Sequence, residues 1–242
     1  MLTLAVARAI FTANGRPSEA DLSRELRAVG GRYPHAGYGG HFRRWLHNPS
    51  MGSYNSWANG SAMRSSAVGW AYGSAEEVLQ VAEQTALPTH SHPEGIKGAE
   101  AVALAVFLAR NGASKDELRE KIADRFGYNL HRTVDSIRPG YGFEISCARS
   151  VPEALVAFLD SHDFEDAVRN AISLGGDADT QACISAAVAE AFYGGVPAPI
   201  LDWVMGRLDD FLLGIARDFY ARFAPKTTTS QALARAVAAR GI

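Results

Sequence analysis

Apolar residues in this chain recur at helical spacing almost from end to end, and no stretch alternates long enough to require a sheet. Leu2, Val6, Ala9 and Ile10 form one stripe, and Val102, Ala105, Val106 and Ala109 form another. Ser18-Glu19-Ala20-Asp21 precedes Leu22 and Leu26, and Ser114-Lys115-Asp116-Glu117 precedes Leu118 and Ile122; each has the hydroxyl-to-acid spacing of a capping box. Further helices are predicted over about 74–86, 93–111, 152–160, 163–174, 180–193 and 197–221. Loops are predicted where Gly, Pro and Asn cluster, at 29–41, 47–61, 127–150 and 175–179. No repeat signals a solenoid. The pattern predicts one compact all-α domain over residues 1–242. Its first helix is irregular, because the stripe begins at residue 2 with neither an N-cap residue nor an acidic first turn ahead of it.

Several function classes lose their support on composition. Lysine and arginine number 24 against 26 acids, a formal charge of −2, so there is no electrostatic case for a nucleic-acid or membrane surface. No run approaches the roughly 18 apolar residues of a membrane span. The start at Met1 lacks the basic region of a signal peptide. Cys147 and Cys183 form neither a CxxC pair nor a disulfide framework, and read as reduced thiols of a cytoplasmic protein.

The densest chemistry lies in Gly175-Gly176-Asp177-Ala178-Asp179-Thr180, ahead of a helical run of small residues. Hard oxygen donors of this kind suit Mg²⁺, Mn²⁺ or Ca²⁺ better than zinc. On a regular helix, residues i and i+2 point about 200° apart, so Asp177 and Asp179 could not share a ligand there. They can converge if the glycines keep the segment irregular and Thr180 begins the helix. The plainer alternative is that one of the two aspartates only caps the helix.

Three other segments could line a ligand site. The loop running from Ser56 through Ala58, Asn59, Gly60, Ser61 and Met63 is rich in unencumbered backbone donors, able to cradle phosphate or ribose oxygens, or else is a solvated turn. Gly37-Tyr38-Gly39-Gly40 offers a close-approach loop or merely a linker. In Thr89-His90-Ser91-His92-Pro93-Glu94 the two histidines lack the i, i+4 spacing of helical zinc ligands, so the segment reads as a turn into a helix, with His90 free to contact a ligand or sit satisfied in the core.

In this order, these pieces resemble the ADP-ribosylglycohydrolase family, whose fold is shared with dinitrogenase-reductase-activating glycohydrolase and J1 crystallin. The matching stretches are Asn59 to Arg64, Thr89 to Glu94, Val151 to Leu155 with Phe158 and Leu159, Phe164 to Asn170, Ser173 to Thr180 and Ala189 to Gly194. Recognisable similarity covers most of residues 1–210. The resemblance implies an orthogonal multi-helix domain that hydrolyses the glycosidic bond between ADP-ribose and an acceptor, using a binuclear Mg²⁺ or Mn²⁺ centre.

Carried over, the resemblance makes Asp177, Asp179 and Thr180 metal ligands, with the two aspartates at the centre of catalysis. It makes Ser56, Ala58, Asn59, Gly60, Ser61 and Met63 the pyrophosphate and ribose cradle, His90 a ligand contact, and Gly39 and Gly40 part of the cleft. Ala58 departs from the family, where glycine is more usual. The family's remaining metal ligands sit in a Thr-Asp-Asp-Thr motif directly before a helix like the one from Met1 to Arg8. The sequence starts where that motif would end, so an N-terminally truncated domain with an impaired metal centre is expected. The resemblance also admits a catalytically inactive, ADP-ribose-binding or crystallin-like structural role.

Overall fold

The computed structural model describes residues 1–241, whose regular structure is helical; their β-type pairing is an isolated antiparallel bridge between Ala58 and Ser146. The chain opens with α1 (Leu2–Thr12), α2 (Glu19–Arg32) and α3 (Gly40–His47), then a 3₁₀ turn at Ala62–Arg64. Next come α4 (Ser66–Ala71), α5 (Ala75–Ala86), α6 (Pro93–Arg110), α7 (Lys115–Phe126) and α8 (Val134–Ile137). A second 3₁₀ turn, Arg138–Gly140, leads to α9 (Cys147–Leu159), α10 (Phe164–Ser173) and α11 (Ala178–Tyr193). The chain continues through α12 (Ala198–Met205), α13 (Asp210–Phe223) and α14 (Thr228–Arg240). The all-α class is the one that the spacing predicts.

Local rules set many helix starts. Both capping boxes form: Ser18 Oγ accepts from Asp21 N at 3.1 Å, and Ser114 Oγ accepts from Glu117 N at 3.2 Å, each acid accepting in return from the backbone of its serine. Helix α1 starts with no side-chain cap and no acid in its first turn, as its sequence indicates.

The core is arranged around α6, which buries Gly95, Gly98, Ala99 and most of the residues from Ala101 to Ala109. A helix apolar on every side belongs inside a bundle, and α4, α5, α7, α9 and α11 all pack against it. Small residues set how closely they approach. A Cβ at Gly69 of α4 would lie 2.5 Å from the Ala103 carbonyl, and one at Gly98 would lie 2.4 Å from Cys147 Sγ on α9. Helix α11 packs on α9, α10 and α6, so the loop from 174 to 177 opens directly above this core. Leu201, Met205, Leu213, Ala216, Leu233 and Val237 join α12, α13 and α14 in a smaller apolar cluster.

Several predicted boundaries need correction. The loop predicted at 127–150 contains α8 and the first turn of α9, which begins at Cys147 and runs through Pro152. The proline reads as a helix start, yet it sits inside a helix that Ser146 already initiates. The single helix predicted over 197–221 is two, because Asp209 Oδ1 accepts from Leu212 N at 2.9 Å and begins a new helix after the break. Helix α2 runs to Arg32, into the predicted 29–41 loop, and α14 lies outside the predicted set. Both cysteines are free thiols. No helix among the described residues is long and apolar enough to cross a membrane.

Candidate active site

The segment 56–63 is held against the start of α9. Asn59 N donates to Ile145 O at 2.8 Å and Cys147 N donates to Trp57 O at 3.1 Å, flanking the bridge between Ala58 and Ser146. Ser56 N donates to Thr89 O at 3.2 Å, which ties the same segment to the histidine turn. The N–H groups of Trp57 and Gly60 have no acceptor among the described residues. Ser61 is less available than its sequence suggests: its buried hydroxyl donates to Gly95 O at 2.7 Å and serves packing.

The acidic loop meets this segment through Asn59. That buried amide donates to Asp177 Oδ2 at 2.8 Å and to Ser150 Oγ at 3.2 Å. Asp177 occupies the N-cap position of α11, and its side chain makes no capping bond, so the plain capping reading does not describe it. Helix α11 begins at Ala178, two residues earlier than predicted, with Asp179 in its first turn. The two carboxylates still adjoin, because the N-cap residue has non-helical backbone (φ −81°, ψ 59°) and is freed from the helical angular rule. Asp179 Oδ1 accepts from Thr180 N at 2.9 Å. Thr180 is buried, its hydroxyl 3.8 Å from Met63 Sδ.

The two glycines before Asp177 are required for different reasons. Both have positive φ, +75° and +67°. A Cβ on Gly176 would also lie 2.5 Å from Gly142 O, so the acidic loop and the 141–145 segment lie backbone against backbone.

Burial pushes the Asp177 carboxyl above the usual carboxylate range; the Asn59 bond opposes the rise, and neighbouring Asp179 adds to it. Two adjoining carboxylates beside a buried hydroxyl form a hard-oxygen donor set, and a divalent cation would relieve their repulsion. No group of three or more His, Cys, Asp or Glu side chains converges as a metal site among the described residues. The donors present therefore fit one weakly held cation completed by water, or part of a larger centre.

His90 lies on the other side of the cradle. A Cβ on Gly60 would be 3.3 Å from its Nε2, a tight contact that glycine avoids, so the ring lies close against the cradle backbone. The buried Arg64 Nη2 donates to Thr85 O and to Thr89 Oγ1, both at 2.8 Å. Thr89 Oγ1 is also 2.7 Å from His90 Nδ1. A guanidinium can only donate, so Thr89 accepts there; with one proton and a second lone pair left, its hydroxyl can either donate to Nδ1 or accept from it. In the tautomer that takes the Thr89 proton at Nδ1, the imidazole carries its own proton on Nε2, towards Gly60. Burial lowers the His90 pKa well below its ordinary value, and the Arg64 charge lowers it further, so the ring is a neutral donor.

Gly39 and Gly40 are exposed at the start of α3. No hydrogen bond ties them to Asn59 or Asp177 among the described residues; their nearest link is the His41 ring, 5.7 Å from Tyr54, which is 6.1 Å from His90. Three residues that position the site were not in the predicted set: Ser150, Thr89 and Arg64. The last two stand inside the 59–64 and 89–94 motifs, but their roles rest on the burial of Arg64, which only packing reveals.

Comparison with known proteins gives the class of this fold. The family model for ADP-ribosylglycohydrolase matches residues 1–229, and the chain belongs to that family. It is 29% identical to the ADP-ribosylhydrolase ARH3 of Mus musculus over 199 aligned positions, covering 62% of this chain and 54% of the relative. It is 30% identical to an uncharacterized protein of Archaeoglobus fulgidus over 176 positions, covering 66% of this chain and 57% of the relative. The chain thus spans little more than half the length of these relatives. A solved ADP-ribosylglycohydrolase-related protein complex shares the fold, with a TM-score of 0.64 at 24% identity over 98% of this chain and 80% of that one.

Proposed function

We propose that this chain binds ADP-ribose between the 56–63 cradle, His90 and the acidic loop, and contributes Asp177, Asp179 and Thr180 to a Mg²⁺- or Mn²⁺-dependent centre. The reaction is hydrolysis of the glycosidic bond joining ADP-ribose to an acceptor on a protein or small molecule. The observation that carries this reading is the 2.8 Å bond from Asn59 in the cradle to Asp177 in the acidic loop, which unites the nucleotide-binding and metal-binding segments.

The chain's own residues divide the work. The free N–H groups of Trp57 and Gly60 receive phosphate or ribose oxygens, and the His90 Nε2–H donates to the ligand beside them. The paired carboxylates place negative charge where the anomeric carbon becomes oxocarbenium-like. When bound, a divalent cation supplies Lewis-acid polarisation and orients water. Mg²⁺ takes six oxygen ligands, and two adjacent cations need more negative charge than two carboxylates provide.

That donor count supports a second reading, in which these 242 residues bind ADP-ribose with little or no turnover. Calorimetric titration separates the alternatives. ADP-ribose should bind, and Asn59→Ala should weaken it about tenfold or more; a wild-type chain that ignores ADP-ribose overturns both readings. Mn²⁺ should bind weakly at one site. Two tight Mn²⁺ sites, with release of ADP-ribose from a modified peptide, would establish a complete centre and overturn the impaired one.

A further inference from the structure

Outside the cleft, between α3 and the 48–54 loop, the surface opens into a pocket of about 720 Å³, within the usual size range of small-ligand sites. Its polar lining comprises His41, Arg43, Arg44, His47 and Asn48, with the Tyr54 ring at one side. No carboxylate lines it. From Leu26 to Ala75 the sequence contains no Asp or Glu at all, although acids outnumber Lys and Arg over the whole chain.

Within that acid-free stretch the other arginines are committed elsewhere. Arg64 is buried behind His90, and Arg32 lies over the Phe211 ring at 4.5 Å. Arg27 lies 3.8 Å from the Trp45 ring centroid and donates to the carbonyls of Trp45 and Met51, fixing the pocket's floor. Arg43 and Arg44 are exposed, and among the described residues neither enters an ion pair. His41, Arg44 and His47 follow one another at helical i, i+3 spacing, so they share a face. Asn48 Oδ1 accepts from Ser50 N and Oγ, which turns its amide N–H groups outward as donors.

We propose that this pocket is a phosphate-binding site separate from the catalytic cleft, taking a diphosphate or phosphomonoester group. Two neighbouring guanidinium forks match the oxygens of such a group. An extended nucleic acid fits less well, because α3 has eight residues and spans only about 12 Å, too short a track for many successive phosphates. The His41, Tyr54 and His90 rings form a line from the pocket to the cleft, with centroid separations of 5.7 and 6.1 Å. The phosphate therefore comes either from a free anion or from an extension of the same substrate molecule. The site does not depend on what the cleft hydrolyses.

The test uses the full chain at about 0.15 M ionic strength, where weak surface attraction is largely screened. With the cleft saturated by ADP-ribose, inorganic pyrophosphate should still bind at one site, and the double variant Arg43→Gln/Arg44→Gln should weaken it at least about tenfold. ADP-ribose affinity should stay within about twofold in the same variant. Both side chains are exposed and glutamine has similar helix propensity, so an unchanged melting temperature verifies the fold. ADP-ribose carrying one further phosphate on its adenosine ribose distinguishes the sources. A gain in affinity over ADP-ribose that the double variant abolishes assigns the phosphate to the substrate, whereas equal affinity assigns a free anion. Undiminished pyrophosphate binding in the variant overturns the proposal, as does the loss of all pyrophosphate binding once ADP-ribose fills the cleft. A single-stranded oligonucleotide binding 100-fold more tightly than pyrophosphate, with steep salt dependence, also overturns it in favour of a nucleic-acid surface.

Discussion

Thr89→Val removes one oxygen and, with it, the bonds to Arg64 and His90 on which the proposed Nε2–H form of the ring rests. Val matches Thr in volume but has no hydroxyl. Arg64 keeps its bond to Thr85 O at 2.8 Å, but its Nε already lacks a partner, so the variant leaves a buried guanidinium held by one acceptor. His90 Nδ1, in a side chain only 4% exposed, loses its donor. A hydrogen bond to a charged group contributes about 1.5–3 kcal/mol, and an orphaned buried acceptor costs about 1–3 kcal/mol. Both effects pass through one atom and do not simply add, so the expected loss is about 2–4 kcal/mol. For a chain of this size that corresponds to a melting temperature lower by about 4–16 °C.

The second consequence is chemical. Without a donor at Nδ1, the neutral ring is free to move its proton there, and Nε2 would face Gly60 as an acceptor. ADP-ribose affinity should fall about tenfold, more than packing loss alone explains. Nitrogen NMR of labelled histidine reads the tautomer directly. Thr89→Ser keeps the hydroxyl and should retain the Nε2–H form and most of the affinity. If Thr89→Val melts within about 1 °C of wild type and its ring still carries the proton on Nε2, the relay from Arg64 through Thr89 has no role.

Glycine positions give a paired test by thermal melting: Gly69→Ala forces a Cβ to 2.5 Å from Ala103 O and should cost about 1–3 kcal/mol, whereas Gly214→Ala on α13 meets nothing within 4 Å and should gain about 0.5–1 kcal/mol. Equal effects at the two sites would refute the close α4–α6 approach. Gly176→Ala combines positive φ with a 2.5 Å clash at Gly142 O, and should weaken Mn²⁺ binding by shifting Asp177; unchanged calorimetric affinity contradicts this. Burial raises the Glu190 carboxyl above its model-peptide value of 4.5, although Tyr220 donates to it at 2.8 and 2.9 Å. A raised folded-state pKa contributes stability that is full below about 4.5 and lost as pH rises through the folded value. The melting temperature of Glu190→Gln should therefore gain on wild type as pH rises from acid to neutral; a constant difference between the two refutes it.

These tests fall where sequence reading and structure part company. What was legible depends on neighbours along the chain: the capping boxes at Ser18 and Ser114, the stripes of α1 and α6, and the acidic loop with its two glycines all declare themselves within a few residues. Proline at 152 misled because its usual place at a helix start is a local preference, and the buried packing of α9 overrides it. The site's electrostatics lie further from local pattern. The Asp177 carboxylate is held by Asn59, 118 positions away, and the hydroxyl that meets His90 Nδ1 is itself held by Arg64. A motif can thus nominate donors, but their protonation and direction come from buried partners that only tertiary packing delivers. Those partners are the better targets for mutation. Altering Asp177 removes a proposed ligand, whereas altering Thr89 leaves every proposed ligand-contacting side chain in place and removes only the hydroxyl that links Arg64 to His90.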